Sequence, residues 1–286
     1  MQRSPRITFT PLGDTDPFTP NLNRPVRVRA RTVPTDSHFE PHRHAWAQLA
    51  YCATGTVQVM VRANAKDARA NQPRTPKQSK TPEEITYIVP PSRAVWIAPG
   101  TLHAIHVLKS AELRTLYMDA SITPSGWTGC RVIVVSPLLR ELVQALDQPN
   151  TPLREQSISQ LVMDEITHAH TQALGVPLPH PQTGDKRLRA LCEAVMHAPA
   201  ERATLAEWAA NIGASERTVA RLFRDELGMS YQQWRQQAIL AHALPMLASG
   251  KPVSAVAAAS GYGSDSAFSA MFKAAMGQPP SQFQGK

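Results

Sequence analysis

The chain has 286 residues, enough for two domains that each bury a core, and its 30 Lys and Arg against 22 Asp and Glu give a formal charge of +8 that favours a polyanionic partner over an acidic one. No stretch approaches the ~20 uninterrupted apolar residues of a membrane helix and the opening MQRSPRITFT lacks an apolar signal core, so a soluble, cytoplasmic protein with no membrane partner is expected. The cysteines Cys52, Cys130 and Cys192 are odd in number and far apart, which argues against a disulfide framework or a close-paired zinc site and leaves buried thiols.

Between about Val26 and Met118 the chain reads as short strands, because QLAYCATGTVQVMV and TYIVPPSRAVWIAP are rich in β-branched and aromatic residues and are punctuated by Gly and Pro. A small β-barrel or sandwich is predicted, within a first domain over 1–135. The interruption NAKDARANQPRTPKQSKTPEE, residues 64–84, has no apolar periodicity and many Pro, Lys and Arg. It predicts a mobile excursion, read either as a solvated loop or as basic residues touching DNA.

Within these strands, PHRHAWAQLAYCATG sets His42 and His44 two apart, and residues i and i+2 of a strand share a face. Both imidazoles then point into the barrel, where PGTLHAIH adds His103 from a later strand. Such a set suits a metal, but it equally lines a pocket for an organic effector or is satisfied by hydrogen bonds inside the barrel. Trp46, Tyr51, Trp96 and Tyr117 are the aromatic side chains expected to wall the pocket, with alternation sending about half of them outward.

After Val135 the spacing turns helical. Leu138, Leu142 and Leu146 mark one amphipathic helix, and Ile158, Leu161, Val162 and Ile166 a second, within 136–173. Their apolar faces either pack on the barrel or pair with a second subunit. LGVPLPHPQTGD, residues 174–185, is rich in Pro with little to bury and reads as a linker.

Residues 186–286 read as all-helical and contain two similar segments. In TLAEWAANIGASERTVARLFRDELG, Thr204 caps a helix bearing Leu205, Ala209 and Ile212, Gly213 permits a tight turn, and Ser215 caps a second helix. Val219, Leu222 and Phe223 form that helix's buried stripe. Glu216, Arg217, Thr218, Ala220, Arg221 and Arg224 are left outside, with Arg217 and Arg221 one turn apart on a shared face that suits guanine edges in a major groove. The second segment, PVSAVAAASGYGSDSAFSAMFKAAMG, repeats the plan with Val253, Val256 and Ala257, a turn at Gly261, and core Phe268 and Phe272. It exposes Ser264, Asp265, Ser266, Ser269 and Lys273, a set suited to phosphate contacts and weak base discrimination. The two are joined by SYQQWRQQAILAHALPMLASG, a long helix in which Pro245 is expected to cause a kink or a restart.

The last ~85 residues, through LAEWAANIGASERTVARLFRDELGMSYQQWRQQAIL and LASGKPVSAVAAASGYGSDSAFSAMFKAAMGQPPSQF, resemble the DNA-binding domain of AraC/XylS transcription regulators. The resemblance implies two recognition helices entering successive major-groove segments of double-stranded promoter DNA, with contact positions on Arg217 and Arg221 and on Ser266 and Ser269. The spacing His42, His44, Gln48, Gly55 and His103 resembles the cupin pattern H-x-H-x3-E-x6-G with a later histidine, except that Gln48 replaces the usual carboxylate. This implies a cupin-like barrel whose His42, His44, Gln48 and His103 could hold a divalent Fe, Mn, Ni or Zn, weakened by the missing anionic ligand. His42, His44, Trp46, Gln48, Tyr51, Trp96 and His103 constitute the expected effector pocket. Together these give an α+β chain of two domains: a cupin-like β-barrel followed by amphipathic helices, then an all-α domain with two helix-turn-helix units. The expected function is a non-enzymatic, homodimeric regulator that answers a small-molecule effector and controls a gene such as a neighbouring transporter or efflux gene. It meets RNA polymerase if it activates; activation and repression both stay open. The competing expectation is a cupin metalloenzyme, a dioxygenase or isomerase, with a helical appendage.

Overall fold

The computed structural model describes residues 9–284 except 14, 63–83, 92, 173, 180–183 and 202–203. The basic segment 64–84 therefore lies outside the described residues apart from Glu84. The described strands are β1 (Phe9–Thr10), β2 (Val26–Val33), β3 (His38–His42), β4 (Ala47–Arg62), β5 (Glu84–Val89), β6 (Arg93–Ile97), β7 (Leu102–Met118), β8 (Arg131–Val134), β9 (Thr171–Gln172) and β10 (Gly175–Leu178). The helices are α1 (Pro137–Leu146), α2 (Pro152–His168), α3 (Lys186–His197), α4 (Leu205–Asn211), α5 (Glu216–Leu227), α6 (Tyr231–Ala248), α7 (Val253–Ala259) and α8 (Asp265–Met276). They divide into two compact units, one of residues 1–61 with 89–173 and one of residues 62–88 with 174–286. The first is β-rich and the second is predominantly helical.

In the first unit the strand order is β1-β3-β7-β4-β6-β8-β9, with β2 also paired to β7. The long β7 serves β3 with its first half and β2 with its second, in antiparallel register from His38↔His106 to Val26↔Met118. Strict alternation in VRVRARTV decides the faces of β2. Val26 and Val28 join Leu116, Met118, Leu49, Trp96, Leu139, Val143, Val162 and Ile166 in one apolar cluster, whereas Arg27, Arg29 and Arg31 lie on the other face. Helices α1 and α2 cover this cluster, each begun by a hydroxyl cap followed by proline: Ser136 accepts from the Leu139 N–H and Thr151 from the Arg154 N–H.

The buried stripe on α1 and α2 differs from the expected one. Leu139, Leu142 and Val143 of α1 and Ile158, Val162 and Ile166 of α2 are buried, while Leu138 and Leu161 are 51% and 50% exposed. On α1 a line of leucines four apart drifts around the helix, and on α2 Leu161 falls beside the face carried by Ile158, Val162 and Ile166. The packed face of α1 takes the i, i+3 and i+4 positions Leu139, Leu142 and Val143 instead.

In the second unit α3 to α6 pack around Leu188, Leu191, Val195, Val219, Phe223 and Trp234. Residues 174–178, read from sequence as part of a linker, are structural here: β10 pairs antiparallel with β5, and Leu174, Val176 and Leu178 are buried. Pro177 is tolerated because a strand with a partner on one edge need not donate from every residue. Helix α6 also departs from expectation. It continues through Pro245 without a restart, one of the two expected outcomes, with Ala238, Ala243, Leu244 and Leu247 buried along it, and it ends with the Ser249 N–H donating to the Pro245 carbonyl.

Candidate functional site

Among the described residues, two places gather chemistry-bearing side chains, one in each unit. In the first, β3 and β7 place Phe39 opposite Ile105 and His42 opposite His103, so three residues of β3 span two of β7. The extra residue is a β-bulge at Glu40–Pro41, where proline has no N–H to give the ladder. It changes the phase of the strand and turns His42 onto the face of Phe39 and His103. His44 follows immediately. The ring centroids of His42 and His44 lie 4.3 Å and 5.2 Å from that of His103, and one ligand atom from each ring falls within 4.8 Å of the others.

The hydrogen bonds fix how these rings present themselves. Nδ1 of His42 faces the Glu40 carbonyl at 2.8 Å, Nδ1 of His44 the Trp46 carbonyl at 2.7 Å, and Nδ1 of His103 the Thr101 carbonyl at 3.0 Å. A carbonyl only accepts, so each Nδ1 carries the hydrogen and each neutral ring keeps its lone pair on Nε2. His44 Nε2 stands 2.8 Å from Oε1 of the buried Gln48, and His103 Nε2 is buried without a hydrogen-bond partner. Burial, reinforced by His42, pulls the His103 pKa down to about 3, and burial likewise lowers that of His42.

Trp46 stacks on His44 with ring planes 5° apart, and Tyr117 meets both edge-on at 5.8 and 5.9 Å. The Tyr117 hydroxyl interacts with Arg29, so the arginine face of β2 adjoins this cluster; burial raises its pKa against that interaction. Tyr51 and Trp96, expected in the same pocket, are not there. Both are in the apolar cluster under α1 and α2, because Tyr51 is an odd number of residues from Gln48 along β4 and Trp96 pairs with Leu49. Arg29 and Arg31 went unnoticed in the sequence, although the alternation in VRVRARTV is the signal that finds them.

In the second unit, Thr204 and Glu207 form a reciprocal capping box at the start of α4, and Ser215 caps α5 through the Thr218 N–H. Val219, Leu222 and Phe223 are buried, leaving Glu216, Arg217, Arg221 and Arg224 exposed and Thr218 half-buried. Arg221 makes an exposed ion pair with Asp225 at 3.5 Å. The repeat is built alike: α7 buries Val256 and Ala257, Ser264 caps α8 through the Ala267 N–H, and Phe268, Phe272 and Met276 are buried. Asp265, Ser266 and Lys273 are exposed and Ser269 half-buried. Ser215 and Ser264 are thus helix caps before they are contact residues. Gly261 at the second turn has φ +80°, and a Cβ there would meet the Ala200 carbonyl oxygen at 2.8 Å. A cleft of ≈ 740 Å³ lies beside α5, lined among others by Glu216, Arg224, Ser230, Arg235 and Tyr262.

Two helix-turn-helix units in tandem and a β-rich unit with a histidine cluster describe a regulator's parts, and comparison with known proteins assigns them. Residues 25–165 match the AraC-like ligand binding domain and residues 208–286 the helix-turn-helix domain. The chain is 34% identical over 254 residues to the HTH-type transcriptional regulator NimR of Escherichia coli K12, covering 86% of this chain and 90% of that one.

The chain belongs to the AraC family.

It is a DNA-binding transcription regulator with a ligand-binding domain, and the metalloenzyme alternative falls with that assignment. The HTH-type transcriptional regulator RipA of Corynebacterium glutamicum is 32% identical over 107 residues, covering 37% of this AraC-family chain and 31% of that protein. Among solved structures, ToxT from Vibrio cholerae O395 aligns over 90% of this chain and 96% of its own at 10% identity, with a TM-score of 0.36. No helix among the described residues is long and apolar enough to cross a membrane.

Proposed function

We propose that this AraC-family chain reads promoter DNA mainly through α5 and responds to a small molecule held in the histidine pocket of its β-rich unit. The observation that carries the DNA half is the pair Arg217 and Arg221, exposed one turn apart on a helix whose opposite side is fully packed. Two guanidinium forks at that spacing suit adjacent guanine edges. On α8, Ser266, Ser269 and Lys273 supply phosphate contacts and little discrimination, with Ser264 and Asp265 at its start. Arg224, beside the cleft, adds a further backbone contact.

For the sensing half, the support is the cluster of His42, His44, Trp46, Gln48, His103 and Tyr117 in a region matching a ligand-binding family. We read the β-rich unit as a cupin-like barrel on the spacing of those residues. Exposed Leu138, Leu153 and Leu161 on α1 and α2 favour a homodimer formed through these helices, and contact with RNA polymerase follows where the site geometry makes the regulator an activator.

The test is a salt-dependent binding titration on the DNA upstream of the chain's own gene, with unrelated DNA in parallel. Site-preferring binding that weakens steeply with salt is expected. Equal binding to both DNAs would sink the proposed target and the role of α5.

A further inference from the structure

We infer that the effector is a divalent first-row transition-metal ion of the zinc, nickel or cobalt kind, held by Nε2 of His42, His44 and His103 with Oε1 of Gln48 as the fourth ligand. This rests on the sensing pocket proposed above and names its occupant.

Three observations converge. Each imidazole has its Nδ1–H committed to a main-chain carbonyl, the outer hydrogen bond that orients a ligating histidine and frees Nε2 for an ion. Those carbonyls belong to residues within two positions of each histidine, so the local chain itself fixes the rings. Next, His103 Nε2 is buried with no hydrogen-bond partner on a residue only 1% exposed, a cost to a polar atom that coordination of an ion removes. Finally, His44 Nε2 and Gln48 Oε1, two lone-pair atoms, stand 2.8 Å apart. Neighbouring donors on one ion at bonds of about 2.1 Å lie roughly 3.0–3.4 Å apart, so this pair exchanges its short contact for a shared ion by opening a few tenths of an ångström. One ring nitrogen from each histidine lies within 4.8 Å of the others, so the rings close by at most about 1.4–1.8 Å on the ion.

The neutral ligand set gives the site its character. Imidazole nitrogen selects zinc, nickel, cobalt or copper over magnesium and calcium, which demand oxygen. With Gln48 where a carboxylate would neutralise charge, the ion keeps its full 2+ charge on the protein. Affinity is accordingly lower than in a site with an anionic ligand, and the ion exchanges with its surroundings, as a sensed species must and a permanent structural ion does not. His38 and His106, edge-to-face with centroids 3.8 Å apart and paired beyond Phe39 and Ile105 on the same two strands, are outside this set and serve as its control.

The experiment is calorimetric titration of the untagged full chain with Zn(II), and of the same chain with Co(II) followed by its visible absorption. One ion per chain is expected, with tetrahedral or five-coordinate cobalt bands. His103→Ala and His44→Ala should weaken binding at least tenfold with the far-UV spectrum unchanged, His38→Ala should leave it intact, and Gln48→Glu should tighten it tenfold or more. Titration of upstream DNA with and without Zn(II) gives the second readout, and a change in its affinity that His103→Ala abolishes is the expected result. Absence of binding, binding that survives His44→Ala and His103→Ala, or ion binding that leaves DNA affinity unchanged each overturns the inference. Site-specific DNA binding that persists in those cases leaves the regulator reading standing, whereas zinc-bound protein that shows no preference among DNAs defeats that reading alone.

Discussion

The indole Nε1–H of Trp234 on α6 donates a 2.7 Å hydrogen bond to the carbonyl of Pro177 in β10, with both residues buried. A segment rich in proline is thereby built into the core of the DNA-binding unit. Trp234→Phe keeps most of the ring but orphans the Pro177 carbonyl, and should cost about 1–3 kcal/mol; Trp234→Ala, which also opens a cavity, about 3–5 kcal/mol. Urea unfolding followed by far-UV circular dichroism measures this. An unchanged midpoint for Trp234→Phe would mean that the bond contributes nothing.

The same pair shows where sequence reading succeeds and where it stops. Caps, turns and stripes of α4, α5, α7 and α8 are local: Thr204, Ser215, Gly261 and Phe268 act within a few residues and are legible, whereas the reciprocal bond from Glu207 emerges only in the structure. The burial of β10 depends on Ile85, Tyr87 and Trp234, far away along the chain, so proline content pointed the wrong way. Parity along β4 already separates Tyr51 from Gln48, and applying it would have kept Tyr51 out of the pocket. The bulge that aims His42 at His103 is less accessible. Pro41 hints at it, but only the β7 register reveals that one residue has been added.

Gly55 is the next test, because its φ of +81° and its surroundings both forbid a side chain. An added Cβ would lie 2.2 Å from the Ser110 carbonyl oxygen and 2.6 Å from Ala111 Cα, both backbone. Gly55→Ala must therefore part β4 from the β7 backbone, and a loss of at least about 2 kcal/mol is expected. Thermal unfolding should show it as a lower midpoint. A wild-type midpoint would mean that the two segments separate at little cost.

The thiols should be silent in the native protein. Burial pushes the Cys52 thiol up to about 12 and that of Cys192 well above its ordinary value. At about pH 8 almost no thiolate forms at either position, and neither sulfur is accessible. An aromatic disulfide reagent is expected to label neither residue in native protein and both in denaturant. Rapid native labelling of Cys52 or Cys192 would contradict the packing around it.

Arg221 and Asp225 provide the sharpest test of the recognition helix. Their ion pair is exposed on both sides, so it is worth at most about 1 kcal/mol and salt weakens it. Arg221 can exchange it for a guanine edge at little cost, but Asp225 stays nearby as a negative charge facing the DNA polyanion. Removing either arginine, by Arg217→Ala or Arg221→Ala, should weaken site-specific binding by about 1–3 kcal/mol, roughly 5- to 150-fold, and flatten the preference among base substitutions in the site. Lys273→Ala should instead weaken all DNAs alike and reduce the salt slope by about one. Asp225→Asn releases Arg221 and removes the opposing charge, so it should tighten binding several-fold without altering sequence preference. Titrations of the four variants at two salt concentrations separate these effects. If Arg221→Ala behaves like Lys273→Ala, then Arg221 holds phosphate, and base reading by α5 falls to Arg217 alone.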